Sequence, residues 1–98
     1  MSPLDRVAQI RAVMHDTFHP VKLEIRDDSK AHAGHIGGGG KGHFKLLVVS
    51  ELFLGKTLVQ RHRLVHDALR ALMETDIHAL KLTAKAPGES LGLNEILS

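Results

Sequence analysis

Between two segments of strand-like alternation lies a run, Asp27 to Gly42, with no hydrophobic period of any kind. It holds six of the nine glycines, Gly37-Gly38-Gly39-Gly40 among them, and two of the eight histidines, His32 and His35. Glycine has too much backbone freedom for a helix or strand to persist through such a run. The chain is therefore built as two strands tied by a long loop, with the remaining elements packed around them. Loops of this length in compact domains are uncommon and are usually functional or disordered.

The flanking patterns are clearer. Ser2 caps, Pro3 suits the first helical position and Asp5 complements the helix dipole. Leu4, Val7, Ile10, Met14 and Phe18 follow at helical spacing, and Pro20 ends the helix. Val21, Leu23 and Ile25 alternate with Lys22, Glu24 and Arg26, a half-buried strand. Phe44 to Val49 is almost continuously apolar, which suits a central strand. Glu51 to Lys56 reads as a turn, with Phe53 as a core anchor and Gly55 as a break. A helix is predicted from about Thr57 to Met73, with an apolar stripe of Leu58, His62, Val65, Leu69 and Leu72. A third strand runs from about His78 to Lys85. Pro87-Gly88-Glu89-Ser90 breaks the pattern, and residues 86–98 read as a short helix or a mobile tail.

The order is helix, strand, strand, helix, strand. The loop permits an antiparallel pair of strands. A right-handed crossover through the second helix returns the third strand parallel to the second. The fold class is α+β: one domain over residues 1–98, with an ordered core of about 2–85. Its sheet is three-stranded and mixed, with both helices on one face.

Composition sets the boundaries. The chain has 98 residues, 43% hydrophobic and only 3% aromatic, so its core is aliphatic. It has no cysteine, hence no disulfide, as expected in a reducing compartment. Met1 to Asp5 lack the pattern of a signal peptide, and no run approaches the ~20 apolar residues of a membrane span. These features lead to an expectation of a soluble, cytoplasmic protein, with an organelle left open. The pI is 9.2 but the net charge is only +2. Nucleic-acid binding would thus need a local basic patch.

Topology gathers four histidines. The first strand ends and the second begins at one edge of the sheet, and the third, parallel to the second, begins there too. His43 and His78 sit at those strand starts, and the loop that carries His32 and His35 hangs over them. A solvated loop accounts for His32 and His35 as well as a ligand role does. The others have structural explanations. His62 falls in the apolar stripe and is expected to be buried, with His66 at the stripe's edge. His15 and His19 lie near a helix C-terminus, where a cation is favourable. His43, beside Phe44, reads as structural too. Gly37–Gly40 is no phosphate loop, because no Lys-Ser/Thr follows and a strand comes next. Asp27-Asp28 fits strand-end turn chemistry. No constellation suggests nucleophilic or acid–base catalysis, and a hydrolytic zinc site would need three rigid ligands and a base. No enzymatic activity is expected.

Phe53-Leu54-Gly55-Lys56, Gln60-Arg61-His62-Arg63-Leu64-Val65 and His78-Ala79-Leu80 resemble the signature segments of the BolA-like protein family. Asp28-Ser29 with His32-Ala33-Gly34-His35, and His43-Phe44-Lys45 leading to Val48-Val49-Ser50, resemble its strand–loop–strand region. The likeness runs from the first helix to about Lys85. It implies a class II K-homology-like fold, in agreement with the order above. It also implies a partner, a monothiol glutaredoxin carrying a [2Fe–2S] cluster with glutathione. Here His78 and His32, or its neighbour His35, would be the metal ligands. The free chain would be a monomer without tightly bound cluster, and the complex a heterodimer. Paired histidines replace two thiolates in Rieske-type centres, so the donor types are compatible.

Two functions follow from the resemblance. The first is a non-enzymatic module that co-ligates the cluster in iron–sulfur assembly, trafficking or iron regulation. The alternative is a nucleic-acid-binding transcriptional regulator, with Lys56, Arg61, Arg63 and Arg70 as a basic helix face and weak DNA binding. The glycine loop of K-homology nucleic-acid domains, Gly-x-x-Gly, is absent, and aromatics for base stacking are few.

Overall fold

The computed structural model describes residues 3–28 and 42–89, with side chains from Arg6 onward. Helix α1 spans Pro3–Phe18 and buries Ile10, Met14 and Phe18. It stops where the sequence anticipates. His19 takes a left-handed φ of 45° and its N–H reaches back to the His15 carbonyl at 3.2 Å, just before Pro20.

Strand β1, Lys22–Asp27, pairs antiparallel with β2, Gly42–Val49, and β2 pairs parallel with β3, Ile77–Lys85. The sheet order is β1-β2-β3. Alternation sets its two faces. Leu23 and Ile25, then Phe44, Leu46 and Val48, then Leu80, Leu82 and Ala84 all pack into one core with Ile10, Met14 and Phe18 of α1. Val65 and Leu69 join the same core from the second helical region. The helices therefore cover one face of the sheet, as expected.

That second region starts on a capping box: Thr57 accepts from the Gln60 N–H at 3.1 Å, and the Gln60 side chain accepts from the Thr57 N–H at 2.9 Å. The single helix expected over 57–73 is two segments, α2 at Leu58–Ala68 and α3 at Arg70–Thr75. Leu69 between them has φ −94° and ψ 8°, yet its N–H still bonds the Val65 carbonyl and its own carbonyl accepts from Met73.

The expected stripe holds at Val65, Leu69 and Leu72 but fails at its start. Leu58 is 61% exposed and His62 is only half-buried, whereas Arg61 is 6% exposed. The residues that face inward are Arg61, Val65 and Leu69, spaced at i, i+4 and i+8. A charge is tolerated there because it is paired and hydrogen-bonded. Arg61 Nε donates to the Lys56 carbonyl at 3.0 Å and Nη1 to the Ala84 carbonyl at 3.2 Å. Nη1 and Nη2 also grip Glu89 at 2.6 and 2.8 Å. Glu89 in turn accepts from the Ala86 N–H at 2.9 Å, and Ala86 is fully buried. Packing thus continues through Glu89 rather than ending at Lys85. Residues 90–98, the rest of the expected tail, lie outside the described residues.

At the same end of the sheet, Phe53 is completely buried on a single turn of 3-10 helix, Glu51–Phe53, with its ring 5.2 Å from that of Phe18. Ser50 is equally buried. Its hydroxyl donates to the Phe18 carbonyl at 2.7 Å and accepts from the Leu52 N–H at 3.1 Å. Gly55, at φ 74°, ends this turn in a conformation that glycine adopts without strain.

Candidate metal centre

The opposite end of the sheet holds the histidines. β2 and β3 are parallel, so their first residues share an edge, and antiparallel β1 finishes there. The edge is pinned by main-chain bonds. Gly42 N–H donates to the Asp76 carbonyl at 2.9 Å and Asp28 N–H to the His43 carbonyl at 2.8 Å. Arg6 of α1 holds the Asp76 carboxylate at 3.4 Å.

Register then places the side chains. Gly42 pairs with Ile77 but His43 pairs with Ala79, so β3 carries one extra residue, His78, at a bulge. Bulges re-aim side chains and are frequent beside functional sites. His78 is exposed, and its ring lies 5.1 Å from that of half-buried His43, inclined at 55°. Two imidazoles from adjacent strands therefore stand side by side at an accessible edge. Imidazole is the commonest side-chain metal ligand. Among the described residues, no group of three or more His, Cys, Asp or Glu converges to hold a metal ion. A metal held at this pair would need further ligands, and a cysteine-free chain leaves any thiolate to other molecules.

Of the four histidines expected to converge, the structure brings these two together. His32 and His35 lie outside the described residues, on the segment that leaves this edge after Asp28 and returns to it at Gly42. His43, expected to be structural, is the residue that meets His78. A signal for it was present: Ile77 faces the core and so do Leu80, Leu82 and Ala84, and the three-residue step from Ile77 to Leu80 breaks strand alternation beside His78.

The basic helix face is smaller than expected. Arg61 cannot contribute to it: the Glu89 carboxylate, bonded first by Arg61 and then by the Ala86 N–H, is held at a pKa of about 2, and Arg61's own pKa is raised by the same bond. Arg70 pairs with Asp67 at 2.8 Å on the surface. Lys56 and Arg63 are exposed.

A family model described as BolA-like protein matches residues 14–89. The chain belongs to the BolA-like family. Its BolA-like domain is 42% identical over 90 residues to SufE-like protein 1, chloroplastic/mitochondrial, of Arabidopsis thaliana, covering 86% of this chain but 24% of that protein. It is also 42% identical to BolA-like protein 1 of Mus musculus, covering 84% of this chain and 58% of that one. The chain thus spans little more than half, or less, of these relatives. Among solved structures it is similar to the BolA domain of SufE1 from Arabidopsis thaliana, with a TM-score of 0.78 at 41% identity, over 92% of this chain and 99% of that domain. The DNA-binding transcriptional regulator BolA of Escherichia coli is 33% identical, over 89% of this chain and 81% of that protein. The mouse relative is named as a BolA-like protein and the Escherichia coli one as a regulator. No described helix of this BolA-like chain is long and apolar enough to cross a membrane.

Proposed function

We propose that this chain is a non-enzymatic binding module that pairs with a monothiol glutaredoxin and co-ligates a glutathione-dependent [2Fe–2S] cluster through histidine. The observation that carries the reading is the His43–His78 pair, two imidazoles 5.1 Å apart at the exposed start of β2 and β3. Its donor chemistry fits such a group. Histidine nitrogens are accepted ligands of one iron in a [2Fe–2S] unit, while the partner and glutathione would bring the thiolates. The cluster, when shared, supplies iron coordination and redox capacity. The chain's own residues hold and orient it. His78, on the sheet, is the main ligand. His32 or His35 from the connecting segment is the second, and His43 stands beside His78 as a further donor.

The test is the absorption and paramagnetic spectrum of a mixture with a glutathione-loaded monothiol glutaredoxin. His78→Ala should abolish the signature of the mixed cluster. His32→Ala should shift or weaken it, His35→Ala should do less, and His43→Ala should alter its line shape. The signature should also weaken as pH falls into the range where imidazole protonates. An unchanged spectrum in His78→Ala would refute the reading.

A second reading, a nucleic-acid-binding transcriptional regulator, draws support from the name of the Escherichia coli relative. The exposed cations Lys56 and Arg63 on the helical side would serve it, with Arg70 held by Asp67. Binding of this kind would be weak, sequence-tolerant and suppressed by modest salt.

A further inference from the structure

The face of the sheet turned away from the helices is where cations collect. The residues that alternate with the core positions point outward, and register sets them in rows across the strands. Arg26, Lys45 and Lys81 align directly opposite one another on β1, β2 and β3. Two positions further on comes Glu24, Leu47 and Thr83, then Lys22, Val49 and Lys85. Neighbouring strands are about 4.8 Å apart, so each cation of the first row projects beside another. Like charges directly opposite each other destabilise a sheet. Among the described residues, no carboxylate forms an ion pair with Lys45 or Lys81. With no such pair to offset their repulsion, these two lysines form a place where an anion from outside would be favoured.

Position and composition identify that anion. The row lies two residues along β2 and β3 from His43 and Ala79, a rise of about 7 Å. A protein seated at the histidine edge has this row within reach. Phenylalanine, the chain's one residue type among Phe, Trp and Tyr, offers bases no platform here, because Phe18, Phe44 and Phe53 are all in the core. Beside the cation row lie half-buried Leu47 and Thr83, with Glu24 at one side and Lys22 and Lys85 beyond, an apolar middle with a charged rim as in a protein interface. The net charge of +2 makes this a local patch rather than a long-range field for a polyanion. We propose that the outer face of the sheet, centred on Lys45 and Lys81, docks a carboxylate-bearing surface of the same protein that shares the histidine edge. This assignment rests on the glutaredoxin reading and deepens it. The histidines hold the shared group, and the lysines steer and orient the partner that brings it.

The experiment uses the whole chain, isotopically labelled, titrated with cluster-free monothiol glutaredoxin and, separately, with a short mixed-sequence DNA duplex. Support is a set of amide shifts centred on Lys45, Leu47, Lys81 and Thr83 on adding glutaredoxin, together with a loss of affinity of about ten-fold or more in Lys45→Glu/Lys81→Glu that grows smaller at high salt. Lys45→Glu alone, which sets a carboxylate between Arg26 and Lys81, should weaken docking while keeping or raising the thermal midpoint, and this excludes misfolding as the cause. If the wild type forms the mixed cluster but docking ignores the reversals, the inference falls alone. If the duplex binds the face more tightly than glutaredoxin does, the face is a nucleic-acid surface and the inference is again overturned. If the wild type forms no complex and no mixed cluster, the glutaredoxin reading falls and this assignment with it.

Discussion

The two ends of the sheet treat polar side chains in opposite ways. At the end where β2 and β3 finish, Ser50 and Arg61 are buried and their hydrogen bonds are made within the chain. Phe18, Phe53 and Ala86 close around them. At the end where the same strands begin, two imidazoles are held side by side at a bulge and left open to solvent on at least one side. A buried polar group that is fully bonded fixes the fold, because removing its partner leaves a costly orphan. A polar side chain left exposed at a bulge, as His78 is, is placed for binding rather than for packing. By this criterion Arg61, with a signature-like sequence around it, belongs to the architecture, and His78 to the candidate site.

Truncation at the closed end should give the largest effect. Phe53→Ala should cost about 3–5 kcal/mol of unfolding free energy, measured by chemical denaturation, since it empties a fully buried site against Phe18. A loss below about 1 kcal/mol would mean that this end can collapse around the gap.

Next comes Arg61→Ala. It strands the Glu89 carboxylate and leaves the Ala84 carbonyl without its donor, so the thermal midpoint should fall clearly, though less than for Phe53→Ala. The salt bridge also predicts a pH signature. Bonding by Arg61 and by the Ala86 N–H lowers the Glu89 pKa from an ordinary 4.5 to about 2. A carboxylate whose pKa is lower in the folded state contributes its stability fully above its unfolded value and loses it as pH falls through the folded one. The contribution is therefore complete above pH 4.5 and disappears between there and pH 2. In Glu89→Gln that part of the acid-side slope should be missing. An identical slope would show that the pair is not what ties the chain beyond β3 to α2.

The smallest effect on stability belongs to the open end. His78→Ala should change unfolding free energy by no more than about 0.5 kcal/mol, the range for surface positions, while removing the mixed-cluster spectrum. If His78→Ala instead destabilised the chain as strongly as Arg61→Ala, the contrast between the two ends would be lost.

Much of the architecture was legible. Alternation in Val21–Arg26, the apolar run Phe44–Val49 and the glycine-rich segment between them set two strands and their direction. The Phe53 anchor and the Gly55 break were visible as residue types alone. The inward face of α2's first turns was not, because leucine at 58 and histidine at 62 look more suitable for burial than arginine at 61. What reverses the choice is non-local: the guanidinium finds its partners at Ala84 and Glu89, at and beyond the end of β3. The end of the packed chain was misplaced for the same reason, since Pro87-Gly88 reads as a break until Glu89 is seen to return to Arg61. The histidine edge was half visible. Strand direction placed His43 and His78 together, but the side to which each ring points depends on a bulge that exists only in the pairing of β2 with β3.

That bulge has a consequence for how the site can change. An unbroken strand has a single reading frame: once one residue is known to face inward, the side of every other is fixed by counting. The extra residue at His78 resets the count. Ile77 is read in one frame and Leu80, Leu82 and Ala84 in the other, and all four still face the core. Residue 78 sits at the seam and belongs to neither. Its identity is thus free to vary without turning a core side chain outward. Deleting it would merge the two frames into one regular strand that still keeps Ile77, Leu80, Leu82 and Ala84 inside and Lys81 outside, so the extra residue serves the edge of the sheet and not its core.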